Sequence, residues 1–237
     1  MIFRTIIIFL FITSSLIFSQ HNGKNFSLFA GVDYITTAQI FLNPNTSDII
    51  LKNKSFEITN LYSPVIDFRY RINDDLILGI SSEYVSKSQK GRNLLVNEGS
   101  QQLALEVDDG VEFIPIEISA YYFLPFSTNQ FKFTMGAGAG YYFGKQTRIF
   151  GDTEIEKISS KTTLGILVSV GMEYLLFENL GLRFDMKFRD PEITLSNKYL
   201  NNIVNYKGSV IKLAKDTFDS KINLDGISFL IGAAFQF

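Results

Sequence analysis

Apolar and polar residues alternate with a period of two through most of this chain, and that leaves little choice of fold. Successive side chains of a strand point to opposite faces, so such runs build sheets with one apolar and one mixed face. Eight runs are legible. The first sets Phe26, Leu28, Ala30, Val32 and Tyr34 against Ser27, Phe29, Gly31 and Asp33. The second sets Ile66, Phe68, Tyr70 and Ile72 against Asp67, Arg69 and Arg71, and the third Leu76, Leu78, Ile80 and Tyr84 against Gly79, Ser81 and Glu83. Ile114, Ile116, Ile118, Ala120 and Tyr122 face away from Glu117, Ser119 and Tyr121 in the fourth. The fifth opposes Phe131, Phe133, Met135, Ala137, Ala139, Tyr141 and Phe143 to Lys132, Thr134, Gly136, Gly138 and Gly140. The sixth opposes Leu164, Ile166, Val168, Val170, Met172 and Tyr174 to Gly165, Ser169, Gly171 and Glu173. The seventh opposes Leu182, Phe184, Met186 and Phe188 to Arg183, Asp185, Lys187 and Arg189. The eighth opposes Ile227, Phe229, Ile231, Ala233, Phe235 and Phe237 to Ser228, Gly232, Ala234 and Gln236.

The links between runs alternate in length. Asn73–Asp75, Pro125–Gln130 and Phe177–Asn179 are short turns of turn-forming residues. Residues 37–60, 87–108, 147–160 and 190–222 are long and rich in Asn, Lys, Ser and Asp, and read as loops. Two of them also read as hairpin extensions, for example Leu94–Val96 and Leu103–Leu105 flanking Asn97–Ser100. Short turns on one rim and long loops on the other are the pattern of a transmembrane barrel with its loops outside the cell. Beyond the N-terminus no stretch is apolar enough for a spanning helix. Membrane placement of the rest therefore demands a closed barrel, which leaves no unpaired edge in lipid.

The N-terminus itself has a positive start at Arg4, an apolar run from Thr5 to Phe18 and a small residue at Ser19. This reads as a signal peptide over 1–19, with a single barrel domain over 20–237. The run is shorter than the roughly 20 residues a spanning helix needs. The chain has no Cys, which excludes disulfides, zinc–thiolate sites and a lipoprotein anchor. Its net charge of -2 gives no footprint for nucleic acid.

Alternation alone does not say which face is outside. Most glycines lie on the mixed face, where small residues suit the crowded interior of a narrow barrel. The apolar face is nearly free of charge and carries Tyr and Phe near strand ends, as interfacial girdles do. The chain stops on Phe237, preceded at alternate positions by Phe235, Ala233, Ile231 and Phe229. This ending resembles the C-terminal assembly signal of outer-membrane β-barrels, with Ala233 where a larger residue is common. The chain from 20 to 237 resembles small eight-stranded outer-membrane proteins of the OmpA-type transmembrane domain and porin family. The resemblance implies an all-β, eight-stranded antiparallel up-and-down transmembrane barrel with short periplasmic turns and long extracellular loops. It also implies a location in the outer membrane, with membrane lipid and the barrel assembly machinery as partners.

With the apolar face in lipid, the charges point inward. Asp33, Asp67, Glu83, Glu117, Glu173 and Asp185 stand against Arg69, Arg71, Lys132, Arg183, Lys187 and Arg189. Six against six suits internal pairing, with Asp67, Arg69, Arg71, Glu83, Glu117, Glu173, Arg183 and Asp185 as a structural lumen network. The third turn places Glu173 opposite Arg183. An eight-stranded barrel has little spare lumen, so a packed plug is favoured over a channel.

No catalytic site is legible. The one histidine, His21, precedes the first run, which removes the usual general base. No metal-ligand spacing occurs, and Asp74–Asp75 and Asp108–Asp109 read as turn residues. Gly136–Gly140 lies inside a strand without a following helix, so it reads as interior packing and not a nucleotide loop. No cofactor is implied. The charged segment Lys198–Lys215 reads as a solvated loop whose ligand the sequence does not name. The sequence thus points to a non-enzymatic surface barrel with a structural or interaction role. A narrow porin for small solutes and a soluble exported ligand-binding barrel are the alternatives.

Overall fold

The computed structural model describes residues 24–98, 101–162 and 164–237. The signal peptide expected over residues 1–19, and His21, lie outside them. The strands are β1 (Phe26–Phe41), β2 (Ser55–Arg71), β3 (Leu76–Glu83), β4 (Val85–Glu98), β5 (Gln101–Phe123), β6 (Phe131–Phe150) and β7 (Thr153–Thr162). They continue as β8 (Gly165–Leu175), β9 (Leu180–Arg189), β10 (Glu192–Tyr199), β11 (Ile203–Tyr206), β12 (Ser209–Lys212), β13 (Thr217–Asn223) and β14 (Ile227–Gln236). One helical turn, α1 (Ile49–Asn53), is capped by Asp48, whose carboxylate accepts from the Ile50 N–H at 2.8 Å. The described residues are otherwise all-β and antiparallel.

Hydrogen-bonded neighbours lead from β1 through β2, β3, β5, β6, β8, β9 and β14 back to β1. The return runs from Ser27 opposite Gln236 to Ile35 opposite Ser228, and Phe26 and Phe237 exchange backbone hydrogen bonds at its end. Gly31 faces Gly232 across this pair; a Cβ on either would collide with the opposite backbone. These strands carry the eight alternating runs. The turn between β2 and β3 is set locally, because the Asn73 side chain accepts from the Asp75 and Leu76 N–H groups at 3.0 and 2.8 Å.

In this closed tier the apolar residues stand outside. Ile66, Ile118 and Ile166 are 60%, 61% and 70% exposed, whereas Asp33 and Arg189 are wholly buried. Ile114 to Tyr122 of β5 covers roughly 26 Å along the strand. At a tilt of about 40° that is roughly 20 Å of height, close to the apolar band of about 25 Å on membrane barrels.

The long links are not open loops. β1 and β2 stay paired out to Phe41 opposite Ser55, and β4 and β5 out to Glu98 opposite Gln101. β10 pairs with β7 and β13, and β13 rejoins β1. The expectation of four long loops is therefore corrected: most of these residues are strand. β4–β5–β6 and β7–β10–β13–β1–β2 form two paired groups, joined by a short β6–β7 ladder at Ile149–Phe150 and Thr153–Glu154. Among the described residues β2 and β4 share no ladder. Ile58, Leu61, Ile193, Leu195 and Ile222 from one group meet Val85, Val111, Phe113 and Tyr142 from the other. The upper part is thus two layers around an apolar core, in the manner of a sandwich.

The sequence misleads here because the alternation turns inside out. On β5 the backbone phase is constant, but the apolar residues change sides. Below, Ile114, Ile116 and Ile118 face out. Above, Val107, Val111 and Phe113 face in, with Glu112 and Glu106 on the other side. On β1 and β2 the residues keep their even positions and the backbone turns over instead. Leu28 and Val32 face out, yet Ala38 and Ile40 are buried; Ile66 faces out, yet Ile58 is buried. Asn60, at φ 57°, marks the reversal on β2 while the register holds from Ile35–Leu61 to Thr37–Thr59. Asn tolerates that left-handed conformation better than most residues.

A two-stranded lid, β11–β12, closes the top. Its turn uses Lys207 and Gly208, both at positive φ (50° and 86°), as a two-residue hairpin loop requires. Val204 and Leu213 pack beneath it on Val107, Phe150 and Tyr199.

Candidate functional site

The lumen of the closed tier holds two stacked charge clusters. In the one nearer the short turns, Arg69 bonds Asp67 and Asp185 at 2.9 and 2.7 Å, and its guanidinium lies 3.8 Å from the Tyr121 ring centre. Arg183 pairs with Glu173 at 2.8 Å and approaches Asp67 at 3.7 Å. Glu173 and Arg183 are register partners across the β8–β9 turn. Small residues make room for the cluster: a Cβ at Gly136 would strike the Tyr121 ring, and one at Gly171 the Asp185 carboxylate.

The second cluster gathers β1, β2, β3, β5, β6 and β9. Lys187 donates to Glu117 at 2.7 Å, and Arg189 reaches Glu117 at 3.1 Å and Glu83 closer still. Tyr142 donates to Glu117 at 2.8 Å and Ser63 to Glu83 at 2.6 Å. Asp33 stands apart from this bonding. Its nearest cation is Arg189 at 3.6 Å, and neither of its oxygens accepts a hydrogen bond. Three carboxylates share two cations here.

Of the lumen residues expected from sequence, Asp67, Arg69, Glu173, Arg183 and Asp185 meet in the first cluster and Glu83 and Glu117 in the second. Arg71 joins neither. It stands at the mouth beside Lys132, each over the ring of Phe123, at 5.3 and 5.9 Å from its centre. The balance of six against six therefore fails inside the sealed part, where the six acids are buried with four cations, Arg69, Arg183, Lys187 and Arg189. Lys187, Arg189 and Tyr142 organise the second cluster. Their inward positions in the alternation were the available signal for them.

A third cluster lies higher and was not foreseen. Asp109, read as a turn residue, sits inside β5 and is fully buried. Arg148 grips it with two bonds of 2.6 and 3.1 Å, and Gln146 and Asn93 add 3.2 and 3.1 Å. The misreading arose because an Asp–Asp–Gly string is also what turns use. Nearby, the segment expected as a solvated loop from Lys198 to Lys215 contributes the lid. Asn205 donates its backbone N–H and then its side-chain amide to Asp152, at 2.9 and 3.1 Å, which holds that exposed carboxyl below its ordinary range.

The residues of the C-terminal ending lie along the outside of β14. Ile231 and Phe235 are exposed, and Phe237 stacks on Phe26 at 5.9 Å between ring centres. Phe229 lies between Tyr34 and Phe184. Among the described residues no group of His, Cys, Asp or Glu is arranged to hold a metal ion.

No family model and no curated protein matches the chain. Its structure is similar to that of the outer membrane protein OprG from Pseudomonas aeruginosa, with a TM-score of 0.63 at 14% identity over 92% of this chain and 97% of that one. Looser similarities join it to Neisserial surface protein A (TM-score 0.45, 18% identity, 90% of this chain and 97% of that) and to outer membrane protein W of E. coli (0.43, 16%, 92% and 100%). At these identities the likeness is one of fold. The chain shares its architecture with small outer-membrane β-barrel proteins.

Proposed function

We propose that this chain is an outer-membrane barrel of eight transmembrane strands with a structural or surface-interaction role and a lumen that does not conduct. The filled interior carries this reading. From the short-turn end upward, two salt-bridged clusters, an apolar core, the Asp109–Arg148 cluster and the lid residues follow one another. A solute path would have to break several buried ion pairs, each costly to leave half-made.

The lipid-facing side chains of the closed tier favour membrane insertion over a soluble barrel, and the layered tier with its polar outside favours display beyond the surface. The apolar run from Thr5 to Phe18 and the alternate apolar residues Phe229, Ile231, Phe235 and Phe237 support export and handling by the barrel assembly machinery. We assign no catalytic role: none of the three clusters combines a nucleophile, a base and an open approach for substrate.

Fractionation with heat-dependent gel migration tests the placement, with recovery in the outer-membrane fraction as a heat-modifiable band expected. Recovery as a soluble protein without detergent would remove the membrane assignment. In planar bilayers no unit conductance is expected. Large reproducible steps would replace this reading by the narrow porin.

A further inference from the structure

At the short-turn end the lumen opens as a small blind cavity of about 40 Å³. Its inner wall is the Arg69–Asp67–Asp185 and Arg183–Glu173 cluster, where each carboxylate already has an arginine. Its mouth is different. Arg71 of β2 and Lys132 of β6 are half-buried and point into the cavity. Neither forms an ion pair among the described residues, although both lie against Phe123. A third cation, Lys24, lines the same opening and donates only to neutral acceptors, the Glu178 carbonyl and the Asn179 side chain.

Gathering positive groups around one small opening without an ion-pair partner is unfavourable, and the apolar ring that both lie against lowers the local screening. The rest of the lumen avoids this by pairing its cations. An Arg fork and a Lys point charge around one concave opening are the donors that an oxyanion takes, the fork binding two oxygens and the ammonium a third. The cavity is too small for a nucleotide or sugar, but it admits one such group.

We propose that this mouth is a binding site for a single phosphate group, held by Arg71 and Lys132 with Lys24 at the entrance. The phosphate belongs either to a free ion or to the headgroup of an anionic lipid. Only the lipid source rests on the membrane reading above.

The test uses the mature chain refolded in maltoside micelles, which carry no phosphate, titrated calorimetrically with inorganic phosphate at constant ionic strength. Saturable binding is expected, weakened about tenfold or more in the Arg71→Gln/Lys132→Gln double variant, as loss of charge-assisted bonds implies. Lys90→Gln, remote on β4, is expected to bind as the parent does. Heat-dependent migration of each variant shows that it is folded, and Arg71→Lys, which keeps the charge, is expected to recover part of the affinity. Absence of saturable binding through the millimolar range, or equal binding by the folded double variant, overturns the proposal. A short-chain phosphatidylglycerol added to the same micelles separates the sources. A weakened apparent phosphate affinity assigns the site to lipid, and an unchanged one to the free ion. The titration needs no bilayer, so its failure leaves the proposed membrane placement standing.

Discussion

Asp33 in the closed tier and Asp109 in the layered tier are both fully buried aspartates on barrel strands, yet their surroundings treat them oppositely. Asp109 receives a two-pronged arginine, a glutamine and an asparagine. Asp33 receives no hydrogen bond, in a cluster where three carboxylates share Lys187 and Arg189. The contrast extends to everything around them. The closed tier is polar inside and apolar outside, whereas the layered tier is built around an apolar core, with the buried Asp109–Arg148 pair and a few buried polar side chains beside it. On the proposed membrane placement, water decides which arrangement is stable. Where lipid replaces water, apolar side chains gain nothing by turning inward, and polar ones must pair in the lumen. Where water surrounds the strands, burial of apolar surface at roughly 25 cal/mol per Å² drives the ordinary inside-out order.

Four measurements would sharpen or break this comparison. The largest effect is expected for Arg189→Met, which leaves Asp33, Glu83 and Glu117 with Lys187 alone. It should lower the unfolding free energy by about 3–5 kcal/mol in urea titrations of the vesicle-inserted barrel. A change under about 1 kcal/mol would mean that the cluster behaves like exposed charge. Phe113→Ala opens the apolar core of the layered tier and should cost about 3–5 kcal/mol in the same titration. A near-neutral result would show that this tier is not packed as a soluble core.

The third measurement sets two outward positions of β5 side by side. Ile118→Arg should cost about 2–4 kcal/mol in vesicles, as cations on the lipid face near the bilayer centre do. Glu106→Arg, higher on the same strand, should stay within about 0.5 kcal/mol. Equal effects would erase the boundary between the tiers. The smallest effect concerns Asp152. Its carboxyl is held below the ordinary value, so what its bonds to Asn205 contribute is present above the unfolded value of about 3.9 and lost as pH falls through the lower folded value. The Asn205 amide resonance should therefore titrate with a midpoint below about 3.9. A midpoint at or above it would remove this link between the lid and the β6–β7 turn.

Residue by residue, legibility followed locality. The turn at Asn73 was readable because its hydrogen bonds span two and three residues. Glu173 and Arg183 could be paired on paper because one short turn fixes their register. Arg148 and Asp109 are likewise register partners across the β5–β6 turn, but 39 positions separate them, and an Asp–Asp–Gly string that reads as a turn hides that β5 runs through it. Arg71 was assigned to the lumen network by its inward parity. Parity gives a side but not a height, and the height puts it at the mouth, where no described acid pairs with it. Residues 37–60 looked like loop because the polar side chains of β1 and β2 there face water instead of the lumen.

What the sequence determined by itself was the period: strands, their order, their short turns and the set of side chains that share a face. Those follow from the two-residue repeat of an extended chain and from turn chemistry within a few residues. What the tertiary structure decided was the sign of that alternation at each height, and which of the inward charges meet. A period carries no sense of inside or outside. That sense comes from contacts between strands far apart in the chain and from the reversal of β1 and β2 around Asn60, which lets even-numbered apolar residues face outward below, as Leu28 and Ile66 do, and inward above, as Ala38, Ile40 and Ile58 do.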